Sequence, residues 1–428
     1  KMASIIAEDI PFEKLNIYKN EAIKYFKAHG EDEKAKNIYN KSYDVVNMYR
    51  LKNELDYFYT ELPYSTNAID KFDIKYLDNN YFVLLCPSKR TNGFIPEYVH
   101  YQNIIDSFLK GKEWLQKVGC PYLSNINGLI SSGQIKDFID ACELTFNENI
   151  HECAKTIIEK DEIKIVLIAG PSSSGKTTTC KRLSSYLKAQ GFDPIQLSTD
   201  DYFVDKVKTP KNDKGEYDFE CLRAIKLEEF NSDLNDLING KEIYLPVYNF
   251  TEGKGIRSNK KVKLKNNSII LIEGLHCLND DLTPNVDNIY KYKIYLSPFM
   301  PLNLDSNNYI STTDLRLIRR MIRDNRTRGN DVSKTICSWQ DVRSGEEKYI
   351  FPYINTSDVI INTSLVYELG VLKVFAEPLL YSVGTDSLYY EEARRLINFL
   401  KNYYPISSEY IADDCVLREF IGGSCFEK

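Results

Sequence analysis

Membrane-length apolar runs, closely paired cysteines and histidine clusters are all missing from this chain of 428 residues. Without an apolar run of about 18 or more residues there is no candidate membrane span, and no secretory signal pattern opens the sequence. The ten cysteines are scattered and none forms a C-x-x-C pair, which argues against a zinc ribbon or a redox dithiol. Several of them, Cys180, Cys277 and Cys337, fall in helical or buried-looking segments, as reduced thiols do. The four histidines, His29, His100, His151 and His276, form no cluster, and His276 reads as a core residue. Basic residues do not outnumber acidic ones. The formal net charge is −6, so no global field draws the chain to nucleic acid or to an anionic membrane. Low-complexity tracts and repeats are absent too. What remains is the composition of an ordinary globular protein, 43% hydrophobic and 27% charged, long enough for about two or three domains. A cytoplasmic location is the expectation. Residue 1 is Lys rather than Met, which leaves room for a longer N-terminus.

One stretch carries most of the information. Ile163–Ala169 is nearly unbroken apolar sequence and reads as a strand buried on both faces. It runs into Gly170-Pro-Ser-Ser-Ser-Gly-Lys-Thr177, a G-x-x-x-x-G-K-T loop, and then into a helical segment closed by Gly191. Strand, glycine loop and helix in that order form a phosphate cradle. The glycines let amides turn inward, and the helix start adds its positive dipole. Lys176 can reach the β- and γ-phosphates of a nucleoside triphosphate, and the Thr177 hydroxyl can ligate Mg²⁺.

Three regions follow from the wider pattern. Residues 1–118 mix amphipathic helices (Asn20–His29, Asp32–Leu51) with strand-like pieces (Lys71–Leu77, Tyr81–Cys86). Residues 119–160 form a connector with a helix over Ser131–Lys160. Residues 161–428 alternate strands at 163–169, 194–198, 268–272, 291–296 and 358–362 with helices at 176–190, 226–239, 314–328, 333–348, 365–380 and 388–403. Such alternation predicts an α/β fold, a P-loop NTPase-type parallel sheet with helices on both faces, preceded by a smaller α+β domain. Ligands in such sheets bind beyond the carboxyl ends of the strands.

Acidic groups stand at those ends. The strand Ile195–Ser198 is followed by Thr199-Asp200-Asp201-Tyr202-Phe203. Alternation along a strand lets one of the two aspartates face the site, where it could accept a hydroxyl proton or hold Mg²⁺. Two aspartates capping a turn is the plainer alternative. The run Ser268–Ile272 ends in Glu273, the second carboxylate candidate for Mg²⁺; a structural ion pair is its alternative. Farther on, Arg316, Arg319, Arg320 and Arg323 share one helix face. They read either as a solvated basic face tied to Asp314 and Asp324 or as a lid over bound triphosphate, with Gly329 ending the helix and serving as hinge.

With these residues in view, 160–428 resembles the phosphoribulokinase/uridine kinase family, and in particular its long nucleoside-kinase members. The resemblance rests on Gly170–Thr177, Ser198–Phe203, Tyr217–Phe219, Pro246–Phe250, Ile272–Gly274 and Arg316–Gly329. Val342–Glu347 and Arg418–Ser424 look like segments of the long members. It implies a nucleoside kinase using ATP and Mg²⁺, with Asp200 and Arg323 catalytic. It further implies Gly170, Ser172, Ser173, Ser174, Gly175, Lys176, Thr177, Thr178 and Arg328 on ATP. Thr177, Glu273 and Asp200 would stand around the metal, and Asp218, Tyr202, Tyr248 and Arg320 around the substrate, Asp218 on the ribose diol. The chain departs from the family where Asp200–Phe203 replaces Asp-Ser-Phe-Tyr, where Gly253 stands for a base-reading His, and where Asn330 stands for a lid arginine. Residues 1–118 resemble part of the second additional domain of threonyl-tRNA synthetases through Glu61–Asn67 and Phe72–Ile74. The editing His-x-x-x-His of that domain is absent, so a stability or oligomerisation module is the plain expectation there.

The expected function is therefore phosphorylation of the 5′-hydroxyl of uridine or cytidine, in pyrimidine salvage, by a protein whose partner is a small nucleoside rather than nucleic acid or membrane. A homo-oligomer is compatible with this. Two alternatives stand beside it: a phosphorylated-sugar kinase, whose substrate phosphate Arg316 and Arg319 could bind, and a nucleotide-sensing RNA-binding module.

Overall fold

The chain folds as two units. The computed structural model describes every residue except 42, 78–80, 89–90, 212–214, 216, 250–251 and 428; Phe250, the last residue of the Pro246–Phe250 motif, thus lies outside the described residues. One compact unit comprises Lys1–Gln102 with Leu304–Tyr309, and the other Asn103–Asn303 with Ile310–Lys428. The division falls at 102 rather than near 118, and the 119–160 stretch lies within the second unit.

The first unit holds α1 (Met2–Ala7), β1 (Glu13–Tyr18), α2 (Lys19–Ala28), α3 (Asp32–Tyr39), β2 (Val45–Leu51), β3 (Glu54–Tyr57), β4 (Asp73–Tyr76) and β5 (Phe82–Leu85). Strands β1, β2 and β3 form an antiparallel sheet, and β4 with β5 a hairpin. Ala22 and Phe26 of α2 and Ala35 and Ile38 of α3 pack on Val46, Met48 and Tyr57. The helix expected over Asp32–Leu51 is corrected: it stops at Tyr39, and Val45–Leu51 is a strand. The reason is in the residues. Val45, Val46 and Tyr49 favour a pleated surface, and burial alternates through Val45–Met48 as a half-buried strand requires.

The boundary falls at the first residue of α4 (Gln102–Lys117), and the second unit continues with α5 (Leu123–Ser131) and α6 (Ile135–Glu159). Then come β6 (Ile165–Ala169), α7 (Lys176–Ala189), β7 (Asp193–Ser198), α8 (Leu227–Ile238), a hairpin of β8 (Ile243–Asn249) and β9 (Lys254–Val262), β10 (Ser268–Glu273) and β11 (Lys291–Ser297). The last part holds α9 (Thr312–Arg328), α10 (Val332–Tyr349), β12 (Val359–Asn362), α11 (Glu368–Tyr381), α12 (Tyr390–Leu400) and the short α13 (Arg418–Ile421). Five strands make one parallel sheet in the order β12-β11-β6-β10-β7. Every residue of β6 and β11 is buried. Each buried large aliphatic side chain contributes about 1.5–3 kcal/mol, and a parallel sheet gains this only when helices cover both its faces.

Register sets the site. Glu273 at the end of β10 pairs with Ile168 of β6 on one side and Ser198 of β7 on the other. The chain therefore leaves three neighbouring strands at one level: through Gly170, through Asp200 and through Gly274.

Candidate active site

The loop after β6 is shaped by contacts that only glycine permits. A Cβ on Gly170 would stand 2.6 Å from the Leu296 carbonyl oxygen, which is main chain and cannot yield. Gly175 has φ +81°, in the left-handed region, and begins α7. Ser173 also takes a positive φ, of 60°. Lys176 Nζ folds back to donate to the carbonyls of Gly170 (2.9 Å) and Pro171 (3.3 Å). Among the described residues the buried hydroxyls of Ser173 and Ser174 find no hydrogen-bond partner. Buried hydroxyls without partners are costly, and here they lie in a loop whose amides stand at a helix start.

The arginine face of α9 explains the loop's orientation. Arg316 Nε donates to the Ser172 carbonyl at 3.0 Å and its guanidinium pairs with Glu346. Arg319 donates to the carbonyls of Ser173 (3.4 Å) and Thr363 (2.9 Å) and pairs with Glu368 at 2.6 Å. Thr363 Oγ1 donates to the Ser174 carbonyl at 2.6 Å. Three successive loop carbonyls are thus held by α9 and Thr363, while the Ser172 amide donates to Glu346 at 3.1 Å and the Ser174 amide to the Pro171 carbonyl at 3.2 Å. Both arginines are essentially inaccessible, at 2% and 0% exposure. Arg316 and Arg319 are therefore not available to a substrate phosphate, which corrects the role the phosphosugar alternative needed. The rest of the face gathers on Asp324, which forms ion pairs with Arg320 (3.2 Å), Arg323 (2.8 Å) and Arg328 (3.5 Å). Arg320 also donates to Ser172 Oγ at 2.7 Å. Asp314 instead pairs with Arg395 at 2.7 Å. Gly329, left-handed at φ 63°, ends the helix as expected.

The carboxylates converge on the same place. Thr177 Oγ1 donates to Glu273 Oε1 at 3.0 Å. Burial pushes the Glu273 carboxyl up to about 7, opposed by the Lys176 charge and reinforced by Asp200 and Glu419. Asp200, in a 3-10 turn over Thr199–Tyr202, stands close enough to act on Glu273, Glu220 and Arg328. Asp201 turns away and accepts the Tyr248 amide at 3.2 Å, and burial raises its carboxyl. Glu220 is pushed up to about 7 by burial, with Arg320 and Lys176 opposing and Glu346 and Asp200 adding to it. No hydrogen bond or ion pair engages its carboxylate among the described residues. Three groups that sequence reading left without roles thus belong here: Glu220, Glu346 and Glu419. The last two lie in Val342–Glu347 and Arg418–Ser424, segments whose resemblance was the only signal available.

Beside these lies an aromatic wall. Phe203 makes edge contacts with Phe219 (6.2 Å) and Tyr248 (5.7 Å), and Tyr217 lies 6.2 Å from Phe219. Asp218 Oδ1 accepts the Glu220 amide at 3.1 Å and Oδ2 accepts the Tyr349 hydroxyl at 3.3 Å. His276 is buried and donates from Nε2 to the Glu220 carbonyl at 3.0 Å; burial holds it down at about 4, so the ring is neutral. Tyr202 is corrected. It is 1% exposed, its phenol donates to Asp233 at 2.9 Å, and its ring packs edge-on to Phe230. It is a core residue under α8, not part of the substrate wall. Gly253 takes φ +66° against Lys206.

Residues 165–368 match the phosphoribulokinase / uridine kinase family. The matched segment opens at β6 and closes at the start of α11, so it contains the loop, the carboxylates and α9. A uridine kinase from Anoxybacillus flavithermus is 27% identical over 198 residues, 46% of this chain and 84% of that protein. Uridine kinase-like protein 5 of Arabidopsis thaliana is also 27% identical over 198 residues, and there the chain spans only 38% of the relative's length. A structure described as a possible uridine kinase from Bacillus stearothermophilus aligns with 50% of this chain and 98% of that one, at 20% identity and a TM-score of 0.34. Among the described residues no group of histidines, cysteines and acids could hold a metal by itself, and no helix is long and apolar enough to cross a membrane.

Proposed function

We propose that the second unit is a kinase that transfers the terminal phosphoryl group of ATP, with Mg²⁺, to the 5′-hydroxyl of a nucleoside, uridine or cytidine. The observation that carries this reading is the meeting of Lys176, Thr177, Asp200 and Glu273 at one level of a parallel sheet. Phosphoryl transfer is mainly positioning and charge stabilisation, and this is a set of positioned charges. The fit to a triphosphate rests on the hydroxyls of Ser173 and Ser174, buried without partners, on the held loop carbonyls, and on Lys176. The fit to Mg²⁺ rests on hard oxygen donors, Thr177 Oγ1 and Glu273 Oε1, already 3.0 Å apart. When bound, the metal would neutralise charge on the phosphates.

The chain's own residues supply the rest. Ser172, Ser174, Gly175, Lys176 and Thr178 hold the phosphates through amides and side chains. Asp200 orients the acceptor hydroxyl and takes its proton. Asp218 grips the ribose diol, with Tyr248 and its aromatic neighbours as the wall for the base. Arg320, Arg323 and Arg328 close over the transferring group, where arginines contribute ~10³–10⁵ in rate. The engagement of Arg316 and Arg319 by Glu346 and Glu368 favours an acceptor without its own phosphate. The relatives' names are those of uridine kinases, and that supports the acceptor class; pyrimidine salvage in the cytoplasm is its natural setting. The threonyl-tRNA-synthetase-like reading of residues 1–118 assigns them no step in this reaction. The test is ATP consumption by the full chain with uridine, cytidine, purine nucleosides, ribulose 5-phosphate and RNA. Stimulation by a pyrimidine nucleoside supports the reading; stimulation only by the phosphosugar or only by RNA overturns it.

A further inference from the structure

The C-terminal segment delivers a carboxylate to the start of α7. Glu419 Oε2 accepts two hydrogen bonds, from the Thr178 amide at 3.2 Å and from the Thr178 hydroxyl at 2.9 Å. Thr178 is the third residue of α7, in the first turn, where amides lack helical partners and the dipole attracts anions. A phosphate bound at this loop would be drawn to the same donors. Bonds from these donors to a carboxylate are charge-assisted, hence stronger than neutral ones.

The segment that carries Glu419 is fastened on both sides. Arg418 donates to the carbonyls of Ser408 (2.9 Å) and Ile411 (2.6 Å). Lys181 of α7 donates to the Phe426 carbonyl at 2.6 Å. Arg326 of α9 donates to the carbonyls of Phe420 (3.2 Å) and Glu419 (3.1 Å) and pairs with Glu427 at 2.6 Å. The side chain of Val416 lies against Gly175. Glu419 is therefore held at the helix start by its own main chain, not reached there by a free surface side chain.

We propose that Glu419 is an internal competitor for the nucleotide: its carboxylate occupies the Thr178 donors, and a phosphate must displace it to use them. Two anions cannot share the same two donors without strong repulsion. Because Arg326 belongs to α9, the displaced segment draws on the helix that carries Arg320, Arg323 and Arg328. Entry of the phosphate chain and placement of those arginines are thereby linked. The inference rests on the nucleotide-binding reading of the loop, and the experiment separates the two.

The full chain and its Glu419→Gln variant are titrated calorimetrically with ATP and with tripolyphosphate, which has neither base nor ribose. The substitution keeps the side chain's size and removes its charge, so both ligands should bind about tenfold more tightly, one charge-assisted contact's worth of competition. Affinity unchanged within about twofold, or weakened, overturns the inference, because Glu419 then supports the loop rather than competing at it. Should that variant fail to fold, Arg326→Ala loosens the segment without touching the loop and should tighten ATP about threefold; weaker binding overturns it equally. Lys176→Ala is the control for the underlying reading. If wild type binds neither ligand, or binds them no better than Lys176→Ala, the nucleotide site itself is wrong. If Lys176→Ala loses binding and Glu419→Gln gains none, only the competitor role falls.

Discussion

Asp200 and Asp201 are neighbours in sequence and opposites in use. Asp201 is turned to the Tyr248 amide, while the charge of Asp200 acts on Glu220, Glu273 and Arg328. Replacing Asp200 by Asn should leave ATP affinity nearly intact and cut kcat by roughly 10²–10⁴, the size of a lost general base; steady-state kinetics giving near-wild-type kcat would remove it from that role. Asp218→Ala should instead raise KM for the nucleoside, since a diol contact acts on ground and transition state alike; a collapse of ATP affinity with KM unmoved would contradict the ribose assignment. Glu220 offers a test by pH. Its carboxyl is pushed up from 4.5 to about 7 in the folded chain, with Arg320, Lys176, Asp200 and Glu346 as the charges around it. The folded state then holds a proton that the unfolded state releases. The stabilising contribution is complete below 4.5 and is lost as pH rises through 7. Tm should accordingly fall less between about pH 5.5 and about pH 8 for Glu220→Gln than for wild type, by the share that one group accounts for; parallel curves would show that the group does not titrate there.

Elements show where sequence reading reached and where it stopped. The loop at 170–177 and the strands on either side of it were legible because glycine, apolar runs and helix starts are local signals. The 3.6-residue period put Arg316, Arg319, Arg320 and Arg323 on one face of α9, yet it could not separate them. Arg316 and Arg319 meet Glu346 and Glu368, far along the chain, and the loop carbonyls; Arg320 and Arg323 meet Asp324 inside the helix. Distant partners leave no local trace, and for the same reason Glu419 at Thr178 was invisible. Tyr202 failed differently: its place after β7 put it near the site, but the hydrogen bond to Asp233 and the Phe230 ring draw it into the core. In the first unit, a helical reading ran past Tyr39 because charged residues mask the onset of the strand at Val45. The two kinds of arginine predict different losses. Arg319→Met strands the Glu368 carboxylate, wholly buried, and should cost about 3–5 kcal/mol in denaturant unfolding. Arg323→Gln should cost clearly less than Arg319→Met, because Asp324 keeps Arg320 and Arg328 as partners, while lowering kcat. If the two variants lost stability equally, the division of α9 would be wrong.

For the molecule as a whole, the family match covers residues 165–368, and the phosphate loop, the acids and α9 all lie within it. The C-terminal segment beyond that match also touches the loop, through Glu419 at Thr178 and Val416 at Gly175. In the function proposed above, the glycine loop and the carboxylates at the ends of β7 and β10 form one phosphotransfer site with a nucleoside as acceptor. Its most direct test is to incubate the full chain with γ-labelled ATP, Mg²⁺ and uridine or cytidine and to follow the label, with Asp200→Asn and Lys176→Ala in parallel. Label appearing in a nucleoside 5′-monophosphate, and lost in both variants, is the predicted result. Label released only as inorganic phosphate whatever nucleoside is present, or nucleoside phosphorylation that survives both substitutions, would contradict it.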